Sequence, residues 1–211
     1  MVRKSDGKVI VDTGYVPIEY ESQYIQFGTS LSSKDLYGLG ETEHTSFKLD
    51  TMYTRQTIFA RDQGVGPGEN LYGSQPFLLG FDSDKPSGRP TVSGNAFGLF
   101  LKSSNMMEIE LTPKPGVVYR TLGGIIDLYV FLGDSPAEIV QHYTEAFGRP
   151  VMVPYWSLGF QLSRYGYTNA DEMYQTLSRN VLSNEVPVDV IWGDIDYRLV
   201  LQKVTKMTEN G

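Results

Sequence analysis

The chain has 211 residues, of which 40% are hydrophobic and 20% charged, and this composition is typical of a folded globular protein rather than a disordered one. Its net charge of −7 argues against nucleic-acid binding, which requires lysine and arginine clustered against phosphates. The absence of cysteine excludes disulfides, a thiol nucleophile and cysteine-ligated zinc. The two histidines, His44 and His142, lie far apart on predicted elements of different type, so a multi-histidine metal site is not expected.

Neither a membrane span nor a signal peptide is expected in these residues. No apolar run approaches the roughly 20 residues that cross a bilayer as a helix. The first seven residues include Arg3 and Lys4, but no apolar stretch follows them. The sequence itself therefore leaves the compartment open.

Residues 1–133 have the pattern of a β domain. Residues 107–111 alternate apolar and acidic side chains, which is the period of a strand with one buried face. Further apolar segments of strand length occur at residues 9–11, 24–27, 96–101 and 125–132. Turns rich in glycine, proline and aspartate separate them, at residues 64–68, 82–88 and 113–116. Short strands with such turns predict an antiparallel sandwich.

A helix is predicted directly after residue 133. Ser135 is a typical N-cap, Pro136 suits the first helical position, and Glu138 completes the pattern of a capping box. Gly148, followed by Pro150, ends the helix. Its predicted apolar stripe consists of Ile139, Tyr143 and Ala146.

The rest of the chain predicts a strand, a helix and a second strand. Residues 156–162 have the pattern of a buried strand, and residues 188–192 that of another. Between them, Asn169 is a predicted N-cap with Glu172 three residues later. The helix that follows has apolar residues at a spacing of four, namely Met173, Leu177 and Val181. This order is that of a βαβ unit, which implies a parallel strand pair.

Aromatic and acidic residues follow both predicted parallel strands, at residues 164–167 and 192–197. Function in parallel sheets concentrates at the carboxyl ends of the strands. Aromatic faces pack on sugar rings and carboxylates accept bonds from hydroxyls, so the composition suits a sugar site. The alternative is that Asp194 and Asp196 merely begin a turn, and the pattern alone favours that alternative.

Other chemical interpretations of these patterns are weaker. Asp194 and Asp196 are a poor acid/base pair for a glycosidase, since alternate residues of a strand point the same way and cannot flank a substrate. The glycines at residues 64–68 and 38–41 lack the context of a phosphate loop or a dinucleotide fingerprint. His44 is interpreted as a surface residue and His142 as structural or exposed.

Six strings together resemble one family. They are LYGLGE at residues 36–41, NLYGSQPF at 70–77, SNMME at 104–108, YRTLGGIID at 119–127, the stretch 148–167, and WGDIDY at 192–197. In this order they are similar to glycoside hydrolase family 31, in particular its α-glucosidases of the maltase-glucoamylase and sucrase-isomaltase type. The likeness extends from about residue 8 to Tyr197.

The resemblance implies a fold and a set of domains. We expect a galactose-mutarotase-like β-sandwich over residues 1–133 and a linking helix and loop over 134–154. The first two βα units of a (β/α)₈ barrel would occupy residues 155–197. The tail, residues 198–211, does not resemble the family.

The resemblance also implies site residues and a ligand. Asp62 matches an acidic residue on a long sandwich loop that contacts substrate, and Tyr165 an aromatic residue that lines the sugar subsite. Asp194 matches the carboxylate that binds hydroxyls of the non-reducing glucose, with Ile195 as a wall beside it. The implied ligand is a maltose-like α-glucosyl oligosaccharide, and no cofactor is implied.

The family's catalytic carboxylates have no counterpart in these residues. Its nucleophile lies in a W-x-D-M-N-E motif, whereas the one W-x-D string here is Trp192 to Asp194, with no Met-Asn-Glu after it. We therefore expect a fragment of a retaining, exo-acting α-glucosidase that is itself inactive. The alternatives are a non-catalytic carbohydrate-binding or interaction module and a product that does not fold stably. The family implies a secretory, lysosomal or extracellular location.

Overall fold

The computed structural model describes residues 1–82 and 95–196. The chain divides into two compact units, residues 1–149 and the residues from Pro150 on, and each unit is described by itself. Most of the predicted turn at 82–88, together with Tyr197 and the predicted tail at 198–211, lies outside the described residues.

The first unit consists mainly of antiparallel strands. Their bounds in chain order are β1 Val11–Asp12, β2 Glu19–Glu21, β3 Tyr24–Leu31, β4 Asp35–Thr42, β5 Arg55–Ile58, β6 Asn70–Phe81, β7 Ala96–Leu101, β8 Met107–Thr112, β9 Gly116–Thr121 and β10 Leu128–Gly133. One sheet has the order β1-β3-β9-β8-β5, with β2 also paired to β3, and the other has the order β10-β7-β6-β4. The predicted antiparallel β architecture is confirmed.

The two sheets share one apolar core. Buried side chains come from both: Ile25 and Ile109 from the first sheet, and Leu36, Leu78 and Phe97 from the second. Because side chains alternate between the faces of a strand, each sheet presents one apolar face to this core. The first unit is therefore a β-sandwich.

Two details of the sandwich differ from the sequence prediction. The strand expected at residues 125–132 begins only at Leu128, and Ile125 is 67% exposed, because Gly123 and Gly124 have positive φ angles and turn the chain just before it. Within β8 the acidic side chains were expected to face solvent, but Glu110 is buried. Its carboxylate is compensated by Arg120 of β9 at 2.8 Å, a partner that the alternation of β8 cannot indicate.

The predicted first helix is confirmed as α1, Pro136–Phe147. The Ser135 hydroxyl accepts a bond from the Glu138 N–H, and Gly148 ends the helix with φ of 109°. The predicted stripe is partly wrong, because Ala146 is exposed and Phe147 takes its place beside the aromatic residues of β7 and β10. Ile139 and Phe147 are eight residues apart, so both lie on the face that packs against the sheet.

The second unit has two short strands, β11 Gln161–Leu162 and β12 Val190–Ile191. They are parallel, as predicted, with Gln161 paired to Val190 and Leu162 to Ile191. The prediction of a buried strand over residues 156–162 is wrong for most of that range. Residues Tyr155–Leu158 form a 3₁₀ helix, and Trp156 is 60% exposed.

The helix between the two strands begins where the sequence predicts. It is α2, Ala170–Thr176, and the Asn169 side chain accepts a bond from the Glu172 N–H at 2.9 Å. The helical path continues as a π-helical turn over Leu177–Val181 and a 3₁₀ turn over Leu182–Asn184. No helix in the described residues is long and apolar enough to cross a membrane.

Candidate functional site

The loop after β11 presents one aromatic ring to solvent and buries another. Tyr167 is 3% exposed, and the Arg164 guanidinium lies over its ring at 5.5 Å. Gly166 has φ of 121°, a conformation that side chains other than glycine rarely adopt, and it turns the chain between the two tyrosines. Tyr165 is consequently 66% exposed, as a stacking surface for a ligand would be.

The loop after β12 carries two carboxylates in different environments. Asp194 is half-buried, and its Oδ1 accepts a bond from the Ile195 N–H at 2.6 Å. Asp196 is 3% exposed and accepts a bond from the Gly166 N–H. Ile195 is 64% exposed, so its apolar side chain borders the open side of this loop.

Strand β12 ends before the two carboxylates. The sequence predicts that Asp194 and Asp196 alternate along a strand and point the same way, but β12 ends at Ile191 and both aspartates lie in the loop beyond it. That prediction is wrong. The different burial and different bonds of the two residues nevertheless leave only Asp194 accessible to a ligand.

Asp62 lies in the first unit, on the loop between β5 and β6. The residues on either side of it are both fixed to Glu69: the Arg61 guanidinium at 3.1 Å and the Gln63 amide at 2.9 Å. The Arg61 N–H also donates to the Leu71 carbonyl at 2.7 Å. These bonds close the loop and leave the Asp62 side chain exposed to solvent.

The second unit brings Tyr165, Asp194 and Ile195 to one end of the β11–β12 pair, as expected for the carboxyl ends of parallel strands. The sequence reasoning missed the bond between Gly166 and Asp196, which joins the two loops across 30 residues of sequence. A glycine between two tyrosines suggests a turn with positive φ, but no sequence signal identifies the acceptor of its N–H. Among the described residues, no group of three or more His, Cys, Asp or Glu side chains could hold a metal ion.

Comparison with known proteins identifies relatives that match more than nine-tenths of the chain. Residues 150–209 match the sequence profile of the glycosyl hydrolases family 31 TIM-barrel domain. Over 198 residues, 93% of this chain, the sequence is 44% identical to intestinal sucrase-isomaltase of Suncus murinus and covers 10% of that protein. It is 41% identical to lysosomal α-glucosidase of Rattus norvegicus over 92% of this chain and 19% of the relative. The chain thus spans between a tenth and a fifth of the length of these relatives.

Solved structures show the same fold at lower sequence identity. A family 31 dextranase of Flavobacterium johnsoniae complexed with isomaltotriose superimposes with a TM-score of 0.73 and 22% identity, over 92% of this chain and 22% of the dextranase. The family 31 α-glucosidase of Bacteroides thetaiotaomicron gives a TM-score of 0.62 and 23% identity, over 86% of this chain and 27% of that enzyme. The matching profile and the similar sequences both come from glycoside hydrolase family 31 and its α-glucosidases, and they support the resemblance found in the sequence.

Proposed function

We propose that the chain supplies part of the glucose-binding surface of a retaining, exo-acting α-glucosidase, which hydrolyses terminal α-linked glucose from oligosaccharides. The observation that carries the proposal is the 44% and 41% identity to sucrase-isomaltase and lysosomal α-glucosidase over more than nine-tenths of the chain. The first unit would be a galactose-mutarotase-like sandwich and the second unit the first two βα units of a barrel. The domain boundaries at residues 133, 154 and 197 remain part of this proposal.

Asp194 is the proposed carboxylate for glucose hydroxyls. Within the described residues, its Oδ1 is bonded to the Ile195 N–H while its Oδ2 has no donor. A hydroxyl that donates to this oxygen would form a charge-assisted hydrogen bond, worth about 1.5–3 kcal/mol. Tyr165 would stack on the sugar face, and Ile195 would pack beside it.

Asp62 is proposed as the contribution of the first unit. Its exposed carboxylate stands on a loop that Arg61, Gln63 and Glu69 hold closed, so it would meet a ligand without first ordering the loop. Its proposed role is to accept a hydrogen bond from a hydroxyl group of an α-glucosyl ligand.

We further propose that the 211 residues alone do not hydrolyse maltose. Retaining hydrolysis needs a nucleophile and an acid/base carboxylate about 5 Å apart, on opposite sides of the scissile bond. The two aspartates after β12 do not supply this pair, because Asp196 is 3% exposed and bonded to Gly166. The W-x-D-M-N-E string of the family is also absent from these residues.

The test measures binding and hydrolysis separately on the purified chain. Maltose is titrated against the isotope-labelled protein by NMR, and we expect shifts at Tyr165 and Ile195 but no glucose release. Asp194→Asn should weaken binding about tenfold or more. Asp171→Asn, which changes an exposed carboxylate in the first turn of α2, serves as the matched control and should bind like the wild type.

Each result separates the alternatives. Glucose release by the purified chain would refute its inactivity. Binding that is equally weak in both variants, or absent from the wild type, would refute the assignment of Asp194. Binding mapped entirely to the sandwich would instead favour a non-catalytic carbohydrate-binding module.

A further inference from the structure

Few backbone bonds hold the two loops of the proposed sugar site together. The strands β11 and β12 pair over two residues each. The Trp192 N–H donates to the Leu162 carbonyl at 3.2 Å, and this is the last backbone bond between the two segments within the described residues. Tyr165 and Asp194 lie beyond it, so strand pairing alone does not fix one relative to the other.

The bond between Asp196 and Gly166 lies on the far side of both residues. The Asp196 Oδ2 accepts the Gly166 N–H, and Gly166 is the residue next to Tyr165. Asp196 is two residues from Asp194 in the sequence. The two loops are therefore connected twice, once by the strand pair and once by the hydrogen bond of the Asp196 carboxylate. The proposed sugar contacts, Tyr165 and Asp194, lie between these two connections.

Burying the Asp196 carboxylate costs free energy of folding. It is 3% exposed, and its Oδ1 is buried without a hydrogen-bond partner among the described residues. A buried carboxylate oxygen without a donor is destabilising, and such groups are rare in folded proteins. What the carboxylate gains over an amide is a stronger, charge-assisted bond to the Gly166 N–H.

We propose that Asp196 is a positioning residue of the glucose site: its carboxylate holds Gly166, and with it the ring of Tyr165, in a fixed position relative to Asp194. The inference rests on the proposed function and adds a residue that does not itself touch the sugar. Tyr167 lies on the other side of Gly166, and its buried ring anchors the end of the same loop.

The opposite end of the strand pair offers a matched control. There the Asp189 Oδ2 accepts the Phe160 N–H at 3.0 Å. This bond also joins the β11 and β12 segments through one carboxylate and one backbone N–H. It lies before the strands rather than after them, and so away from Tyr165 and Asp194.

The experiment compares Asp196→Ala, Asp196→Asn and Asp189→Ala in the full 211-residue chain. Amide hydrogen exchange is followed at Gly166 and Phe160, and maltose affinity is measured by NMR titration. Asp196→Ala should accelerate exchange at Gly166 and weaken maltose binding, each about tenfold. Asp189→Ala should accelerate exchange at Phe160 and leave maltose affinity within about twofold of the wild type.

Asp196→Asn separates positioning from folding. Asparagine has nearly the same shape and keeps an oxygen that can accept the Gly166 N–H, so it should restore most of the affinity that Asp196→Ala loses. Unchanged exchange at Gly166 in Asp196→Ala, or an equal loss of affinity in Asp189→Ala, would overturn the inference. If the wild-type chain gives no maltose shifts, the proposed function fails, and exchange at Gly166 still decides whether the carboxylate holds that loop.

Discussion

Replacing Ile139 by alanine should destabilise the first unit by about 2–5 kcal/mol, the range for truncating a fully buried isoleucine. Ile139 is 0% exposed and is the buried residue of α1. A Cβ added to Gly98 of β7 would lie 2.8 Å from the Ile139 Cγ2, so this methyl group rests directly on the sheet backbone. Around it pack Ala96 and Phe131, which leave little room for the cavity to collapse.

The assay is urea unfolding followed by two probes. Both tryptophans, Trp156 and Trp192, belong to the second unit, so their fluorescence reports on that unit, while far-UV circular dichroism is dominated by the sandwich. Ile139→Ala should lower the midpoint of the circular dichroism transition and leave the tryptophan transition in place. Val140→Ala is the matched control, because Val140 is 50% exposed on the same helix and should change stability by no more than about 0.5 kcal/mol.

A loss below about 1 kcal/mol for Ile139→Ala, or a loss equal to that of Val140→Ala, would refute the reasoning. Such a result would mean that α1 connects the units without contributing to the stability of the sandwich. It would then favour the domain boundary expected from sequence, in which residues 134–154 are a linker.

Two further predictions concern pH and core volume. The Thr168 N–H and hydroxyl both donate to Glu172 and lower its pKa below the ordinary value of 4.5. This contact therefore stabilises α2 above pH 4.5, and its contribution is lost as pH falls through the lower pKa of the folded state. In thermal melts between pH 7 and pH 3, Glu172→Gln should lack this loss of stability on acidification. The same pH dependence of stability in both proteins would contradict the prediction. Gly80→Ala should cost about 1–3 kcal/mol in urea unfolding, because its Cβ would lie 2.0 Å from the Phe97 ring. Gly64→Ala, with nothing within 4 Å, should be neutral or slightly stabilising, and an equal loss in both variants would exclude the steric explanation.

Local signals predicted the elements whose cause is local. The start of α1 depends on Ser135 and Pro136 and its end on Gly148, all within the helix or next to it, and the structure confirms each of them. The strand at Met107–Thr112 follows from alternation over a few residues. The burial of Glu110 was not predictable in this way, because its compensating charge, Arg120, belongs to the next strand.

Residues 156–162 show the opposite case, a strong local pattern without the predicted structure. Their apolar residues have the sequence of a strand buried on both faces, as in parallel sheets with helices on each side. Burial requires neighbours, and within the described residues this segment pairs only with β12, over two residues. Trp156 and Leu158 remain exposed for that reason. The apolar pattern of residues 156–162 indicates that the sequence suits a buried position. The contacts within the described residues bury only part of this segment.

The residues of the candidate site also differ in whether local sequence or distant contacts determine their surroundings. Resemblance selected Tyr165, Asp194 and Ile195 because their strings are distinctive, and the parallel pairing of β11 and β12 explains why they share one end of the second unit. Nothing in the string WGDIDY distinguishes the half-buried carboxylate of Asp194 from the buried carboxylate of Asp196. The distinction arises when Gly166, 30 residues earlier, donates its N–H to Asp196 and not to Asp194. A candidate site residue can therefore be proposed from its string, whereas a candidate positioning residue is found only when the fold brings two loops together.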